Sequence, residues 1–238
     1  MTVQAVLFDA GDTLFRVRGS VGEVYASVAR RHGVDMAGAD IEPRFRAAFR
    51  RMPPLGFPGA AAATLPQHEY QWWHAVVRAT FDDVRFADFD AFFAELYADF
   101  ARADVWEVFP DVHPALAALR ARGLRLAVVS NFDGRLSALC RDLGLAAAFD
   151  AVVMSGRAGY AKPDPRIFHV ALERLGIAAS AALHVGDSER EDVDGARAAG
   201  IAPLWLRRDG ATAAATPCIA DLRRLPAWIH GGPDPVRA

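Results

Sequence analysis

Short, nearly continuous apolar runs alternate with helical patterns along most of the chain. Val3–Phe8 is the first such run, and Leu124–Val129, Ala151–Met154, Ala182–Val185 and Ile201–Leu206 repeat it. An apolar run without polar alternation suits a strand buried on both faces, as in a parallel sheet. The segments between them have period-3.6 patterns with end signals. Asp111 stands before Val112–Arg122 and Gly123 after it. Gly134–Leu143 stops at Gly144. Pro165–Leu175 has Asp164 as its N-cap, Pro165 at its first position and Gly176 at its end, and Glu191–Ala199 ends at Gly200. Strands alternating with helices predict βαβ units and an open α/β sheet.

Residues 17–106 break the alternation. Val21–Arg31, Ile41–Met52, His68–Phe81 and Asp88–Arg102 read as helices with no strand between them, divided by the Pro/Gly/Ala-rich loop Pro53–Pro66. The expected organisation is a core made of 1–16 and 107–230, an all-helical insert at 17–106, and a short Pro-rich, disordered tail at 231–238. Trp72, Trp73, Phe81, Phe92, Phe93 and Phe100 read as the packed core of the insert.

Composition narrows the function. With 238 residues and 53% hydrophobic content the chain can bury a sizeable core. A formal charge of −2, without a basic tail, gives no reason to expect nucleic acid. Two cysteines, Cys140 and Cys218, lack CxxC spacing and fit a reducing compartment. No apolar stretch reaches membrane-spanning length, no basic region and cleavage site precede the first strand pattern, and a soluble cytoplasmic protein is expected. Lys162 is the one lysine beside 26 arginines, and Asn131 is the one asparagine. A lysine retained in so arginine-biased a chain marks a position where a compact ammonium is needed and a planar fork is no substitute.

In open α/β sheets reactive groups collect at the carboxyl ends of strands. The first run ends in Asp9, Ala10, Gly11, Asp12 and Thr13, and the second in Ser130 and Asn131. Lys162 follows in a Pro-rich loop, and the run through Val185 ends in Gly186, Asp187 and Ser188 with Asp192 a turn later. Carboxylates, a hydroxyl and one ammonium on one rim suit an anionic substrate bridged by a divalent metal. Mg2+ between Asp9 and Asp187 would offset the repulsion between a carboxylate nucleophile and a phosphoryl group, with Lys162 and Ser130 on its oxygens.

VLFDAGDTLF, VVSNFD, AKPDPRIF and HVGDSEREDVDGARAAG, in that order, resemble the four sequential motifs of the haloacid dehalogenase-like superfamily. The insert after the first motif resembles the helical cap of subfamily I, so the resemblance spans nearly the whole chain. It implies a Rossmann-like parallel-sheet core, a small phosphorylated substrate, and hydrolysis through an aspartyl-phosphate. Asp9 matches the nucleophile and a Mg2+ ligand, and the Gly11 carbonyl matches another ligand. Thr13 matches the loop-shaping threonine. Ser130, with Asn131 beside it, and Lys162 match the phosphate-binding positions. Asp187 matches the acidic metal ligand. Asp192 matches the second acidic position, which serves as a metal ligand or orients Lys162 or a metal-bound water.

The chain departs from the phosphatase pattern at Gly11, where the family usually has a second Asp that protonates the leaving oxygen. Asp12 is the remaining acid/base candidate, but a shift of one residue redirects its side chain, and a turn aspartate is the simpler reading. Two alternatives to a phosphatase follow. One is a 2-haloacid dehalogenase, whose halide leaves without a proton but which needs no metal. The other is a non-catalytic protein that binds a phosphorylated ligand. Phosphonatase chemistry needs a cap lysine, and the insert has none. Arg16, Arg18 and the histidines read as surface or structural residues, with His184 packed or hydrogen-bonded in its strand.

Overall fold

The computed structural model describes residues 3–211 and 216–231; the expected disordered tail lies outside the described residues from 232 onward. Among the described residues eight strands form in chain order: β1 (Ala5–Phe8), β2 (Phe15–Val17), β3 (Trp106–Val108), β4 (Arg125–Ser130), β5 (Ala151–Met154), β6 (Ala182–Gly186), β7 (Ala202–Leu206) and β8 (Cys218–Ile219). Six of them make one parallel sheet in the order β5-β4-β1-β6-β7-β8. β1 is fully buried and lies between β4 and β6, with Phe8 opposite both Val128 and Val185. Continuous burial is what its unbroken apolar run required.

β2 and β3 pair in a separate two-stranded sheet. The sequence reading contained neither: three residues are too few to show a period. β8 is shorter still.

Two compact units emerge. One comprises residues 1–16, 56–59 and 108–238, and the other residues 17–55 and 60–107. Residues 56–59, expected inside the insert, therefore group with the sheet unit.

The second unit holds α1 (Val21–Arg31), α2 (Gly38–Arg51), α3 (Leu65–Thr80) and α4 (Phe89–Asp99). Ser20 caps α1 by accepting from the Glu23 N–H, and Asp88 caps α4 by accepting from Ala91 N–H. Phe81, Phe92 and Phe93 are buried in its core with Tyr25, Val28, Ile41 and Leu96, while Trp73 and Phe100 pack at its edge. Trp72 is buried outside that cluster and donates its indole N–H to the Pro53 carbonyl. α1 and α2 approach so closely that a Cβ on Gly22 would lie 2.2 Å from the Gly38 carbonyl oxygen.

The sheet unit adds α5 (Val112–Arg120), α6 (Leu136–Asp142), α7 (Ser155–Ala158), α8 (Pro165–Leu175), a π-helical turn at Glu189–Asp194, α9 (Gly195–Ala198) and α10 (Leu225–Gly231). α8 has the expected bounds: Asp164 accepts from Arg166 N–H, and Gly176 takes the left-handed conformation. Its apolar face, Ile167, Phe168, Ala171, Leu172 and Leu175, packs in one cluster with Leu7, Ala127, Val129 and Ala196. The helix expected at Glu191–Ala199 begins instead as the π turn. Asp111 is not a helix cap: its carboxylate accepts from Leu222 N–H at 2.7 Å and from Arg208. Cys140 and Cys218 are unbridged, and burial pushes the Cys140 thiol up to about 11. Among the described residues no helix is long and apolar enough to cross a membrane.

A methyl group cannot enter the α1–α2 crossing without separating two backbones, because the opposing atoms belong to main chain. Gly22→Ala is expected to destabilise the protein by roughly 1–3 kcal/mol, the usual cost of overpacking. Chemical denaturation measures it, and an unchanged midpoint would contradict the close approach.

Candidate active site

Neighbouring parallel strands carry the chemistry. β1 runs into Asp9, β4 ends at Ser130 and β6 ends at Gly186, so Asp9 lies between a buried hydroxyl and Asp187 at the same sheet edge. The Asp9 N–H bonds the Val185 carbonyl at 3.0 Å, continuing the β1–β6 ladder into Asp9. The Thr13 hydroxyl donates to Asp187 Oδ1 at 3.2 Å, and the Trp205 indole N–H holds the Asp187 carbonyl at 2.8 Å.

Lys162 enters this edge from the loop before α8, with its side chain 1% exposed. Its Nζ lies 2.6 Å from Asp9 Oδ1 and 2.6 Å from Asp192 Oδ1. Burial opposes the ammonium charge, but Asp192 and Asp9 outweigh it and hold its pKa above the ordinary lysine value. Burial likewise opposes the Asp192 carboxylate, and Lys162 and His184 more than offset it, so Asp192 stays ionised well below the usual range. Asp9 is raised, because burial and repulsion from Asp192 exceed the pull of Lys162.

Asn131 holds the lysine's backbone. Its Oδ1 accepts from Lys162 N–H at 2.7 Å, and its Nδ2 donates to the Lys162 carbonyl and to Glu191 Oε2, each at 3.0 Å. Both side-chain amide protons of Asn131 are thus engaged within the protein, and the residue holds the lysine loop. Glu191, missed in the sequence, joins the site through this bond. Burial raises its pKa.

Two glycines make room for this arrangement. A Cβ on Gly186 would lie 2.2 Å from the Asp192 carboxyl carbon, and one on Gly195 would lie 2.9 Å from the Phe168 ring and 3.0 Å from Pro163 Cα. The π turn, whose wider spacing is common at functional sites, carries Asp192 back beneath β6. There Oδ2 accepts from Ser188 N–H at 2.9 Å while Oδ1 takes Lys162 and His184.

Carboxylate oxygens of Asp9, Asp187 and Asp192 lie within 4.8 Å of one another. Such hard oxygen donors fit Mg2+. Asp192 already accepts from Lys162, His184 and Ser188 N–H, so Asp9 and Asp187 keep more capacity for a cation. Asp187 is pushed from 3.8 up to about 8, first by burial and then by repulsion from Asp9, Asp192 and Asp12. A bound cation would relieve that excess of negative charge.

The motif-one turn resolves the Gly11–Asp12 question in part. Asp12 occupies the left-handed region at φ 56°, a conformation Asp tolerates better than most residues. Gly11 does not, and a Cβ on it would meet nothing within 4 Å. Asp12 is exposed and, with Asp187, lines an open cavity of ≈ 340 Å3 alongside Arg16, Phe109, Arg207 and Arg208. Arg208 secures the turn: it donates to the carbonyls of Thr13 at 2.6 Å and Asp12 at 3.3 Å, lies 3.7 Å over the Phe109 ring, and pairs with buried Asp111 at 3.0 Å. Nothing in the sequence around Arg208 and Asp111 marked them, since their partners are 97 or more residues away.

A family model described as haloacid dehalogenase-like hydrolase matches residues 3–200. This chain belongs to that family. The "Haloacid dehalogenase-like hydrolase domain-containing protein 3" of Danio rerio is 40% identical over 212 residues, 87% of each chain. A phosphoserine phosphatase of Thermus thermophilus is 30% identical over 232 residues, covering 87% of this chain and 89% of its own. Among solved structures, the L-2-haloacid dehalogenase of Xanthobacter autotrophicus with chloropropionic acid covalently bound superposes with a TM-score of 0.72 at 21% identity, covering 97% of this chain and all of that one. That likeness shows the hydrolase family's parallel-sheet fold.

The raised Asp187 predicts a pH effect on stability. Between its ordinary 3.8 and about 8 the folded protein holds a proton that the unfolded chain has released. Stability from this group is therefore complete at low pH and lost as pH rises toward about 8. In metal-free protein Asp187→Asn should flatten that part of the pH–Tm profile. Thermal unfolding across the range measures it, and parallel profiles for the two proteins would remove the basis for the cluster's mutual repulsion.

Proposed function

We propose that this hydrolase is a Mg2+-dependent phosphatase that acts on a small phosphorylated metabolite through an aspartyl-phosphate on Asp9. The observation that carries the reading is the Asp9–Asp187 carboxylate pair beside the buried Lys162 ammonium. A halide can leave without a cation, whereas a phosphoryl group approached by a carboxylate needs positive charge on both sides of the reaction. The relationship to a phosphoserine phosphatase over most of both chains supports the same chemistry.

Bound Mg2+ would supply charge neutralisation between nucleophile and phosphoryl oxygens. Asp9 then supplies the attacking oxygen, with its other oxygen held by Lys162. Lys162 retains one further N–H beyond those directed at Asp9 and Asp192, which is available for a phosphoryl oxygen. Ser130, with neighbouring backbone N–H groups, would take another oxygen. Gly11 leaves the expulsion of an alkoxide without the usual proton donor, so activated esters should be the better substrates. Acid–base help is worth roughly 10²–10⁴-fold.

A dehalogenase is the second reading, and Gly11 is the observation that favours it. One experiment separates the two: p-nitrophenyl phosphate, an alkyl phosphate and 2-chloropropionate are assayed with and without Mg2+, in wild type, Asp9→Asn and Gly11→Asp. We expect Mg2+-dependent ester hydrolysis abolished in Asp9→Asn. The open space around Gly11 admits an Asp side chain, so Gly11→Asp should raise the alkyl ester rate more than the aryl rate. Metal-independent halide release in place of ester hydrolysis would establish the dehalogenase reading. A folded Gly11→Asp protein with an unchanged alkyl-to-aryl ratio would refute the missing-acid account.

A further inference from the structure

His184 sits in the middle of β6, paired in register with Leu7 on β1 and Pro203 on β7, and is 1% exposed. Its neighbours in the strand, Leu183 and Val185, are apolar core. The imidazole stands edge-on to Phe168, with ring centroids 4.9 Å apart, and its Nε2 lies 2.9 Å from Asp192 Oδ1. Its Nδ1 is buried with no partner. A buried polar atom left unsatisfied costs on the order of 1–3 kcal/mol, so an apolar side chain would fill this space at lower cost. What the imidazole adds is a single bond. A carboxylate can only accept, so Nε2 carries a proton and Nδ1 is the unsatisfied atom.

That bond falls on the oxygen that also receives the Lys162 ammonium at 2.6 Å. The other Asp192 oxygen is fixed by Ser188 N–H, and the carboxyl group lies against the Gly186 backbone, in space a Cβ there would fill. His184, Ser188 and the backbone of Gly186 therefore fix the plane and position of the Asp192 carboxylate. Without the Nε2–H that carboxylate keeps only the Ser188 N–H and the Lys162 ammonium as partners and can turn about Oδ2, carrying the ammonium with it. A lysine displaced in this way turns its remaining N–H away from the phosphoryl oxygens.

We propose that His184 is a positioning residue of the active site, which holds Asp192 through its Nε2–H so that the Lys162 ammonium is shared between Asp192 and Asp9 in the geometry phosphoryl transfer requires. The proposal rests on the phosphatase reading for its kinetic test, though a binding measurement examines it independently. Groups that orient a functional residue from behind typically affect activity by 10–100-fold. Because the lysine's alignment matters most as charge develops, the loss should fall on kcat and leave KM nearly unchanged.

The variants follow from bond count. Glutamine places its Nε2 the same number of bonds from Cβ as the histidine Nε2, whereas asparagine is one bond short and leucine has no donor. With p-nitrophenyl phosphate and Mg2+, His184→Leu and His184→Asn should lose about 10–100-fold in kcat with KM within about threefold. His184→Gln should restore the rate to within about threefold of wild type. In an Asp192→Asn background His184→Leu should add no further loss. Thermal unfolding of each variant identifies any that are not folded. Orthovanadate affinity, measured by calorimetry, should follow the same order among the variants and requires no turnover. If the wild type hydrolyses no ester, the phosphatase reading fails while the vanadate series still decides the role of His184. Folded Gln and Leu variants with equal kcat and equal vanadate affinity would overturn the proposal, as would a Leu variant with wild-type values.

Discussion

One ammonium group, that of Lys162, organises the candidate active site of this protein. A charge with 1% exposure must be compensated within the fold, since removing one partner of a buried ion pair leaves the other uncompensated. Two carboxylates at 2.6 Å supply the compensation, one from the end of β1 and one from the π turn after β6. Their chain positions are 153 and 30 residues from the lysine, so the ion group joins three separate segments. The surrounding features serve its geometry. Asn131 holds the lysine's own backbone, Gly186 leaves room for the Asp192 carboxylate, and Gly195 lets the turn approach Pro163 and Phe168. Burial first, and then the negative charge of Asp9, Asp192 and Asp12, raises Asp187, whereas burial of Asp192 is outweighed by Lys162 and His184, which hold it low.

The turn after β1 shows how backbone and chemistry constrain each other. A left-handed residue is needed before Thr13, and here Asp12 provides it, while the glycine stands one position earlier in ordinary backbone. The aspartate is thus committed to closing the turn, with its N–H bonded to the Phe15 carbonyl at 2.8 Å and its own carbonyl held by Arg208. Its side chain opens toward the cavity shared with Asp187. The backbone at Gly11 is not left-handed and a Cβ there would meet nothing within 4 Å, so the position can carry a side chain.

The α/β architecture was legible because buried strands leave unbroken apolar runs and helix ends leave glycine and Asp-Pro signals. β5 and α8 have the expected bounds for those reasons. The site's membership was legible through the four motifs and through the singular lysine. Its internal wiring was not. Asn131 next to a serine reads as a substrate contact, and only the fold shows its amide spent on Lys162. The π turn has no periodic signature that distinguishes it from an α-helical start, so Glu191 was taken as a helix residue. Asp111 carries every sequence mark of a cap, yet a long-range pair with Arg208 claims its carboxylate. β2 and β3 escaped because a three-residue strand contains too few positions to alternate.

The sole lysine also sets what can be attached to the chain. Lysine acylation, lysine methylation and isopeptide linkage at lysine all require a side-chain amine that a reagent or enzyme can reach. The native fold offers none, since its only side-chain amine is 1% exposed and bound on two sides by carboxylates. Any such mark on Lys162 would therefore be written on a chain that had opened; once there, acylation or isopeptide linkage would remove the charge, and methylation would replace the N–H groups that bind Asp9 and Asp192. Covalent tagging of this protein at lysine and an intact Asp9–Lys162–Asp192 ion group are mutually exclusive states.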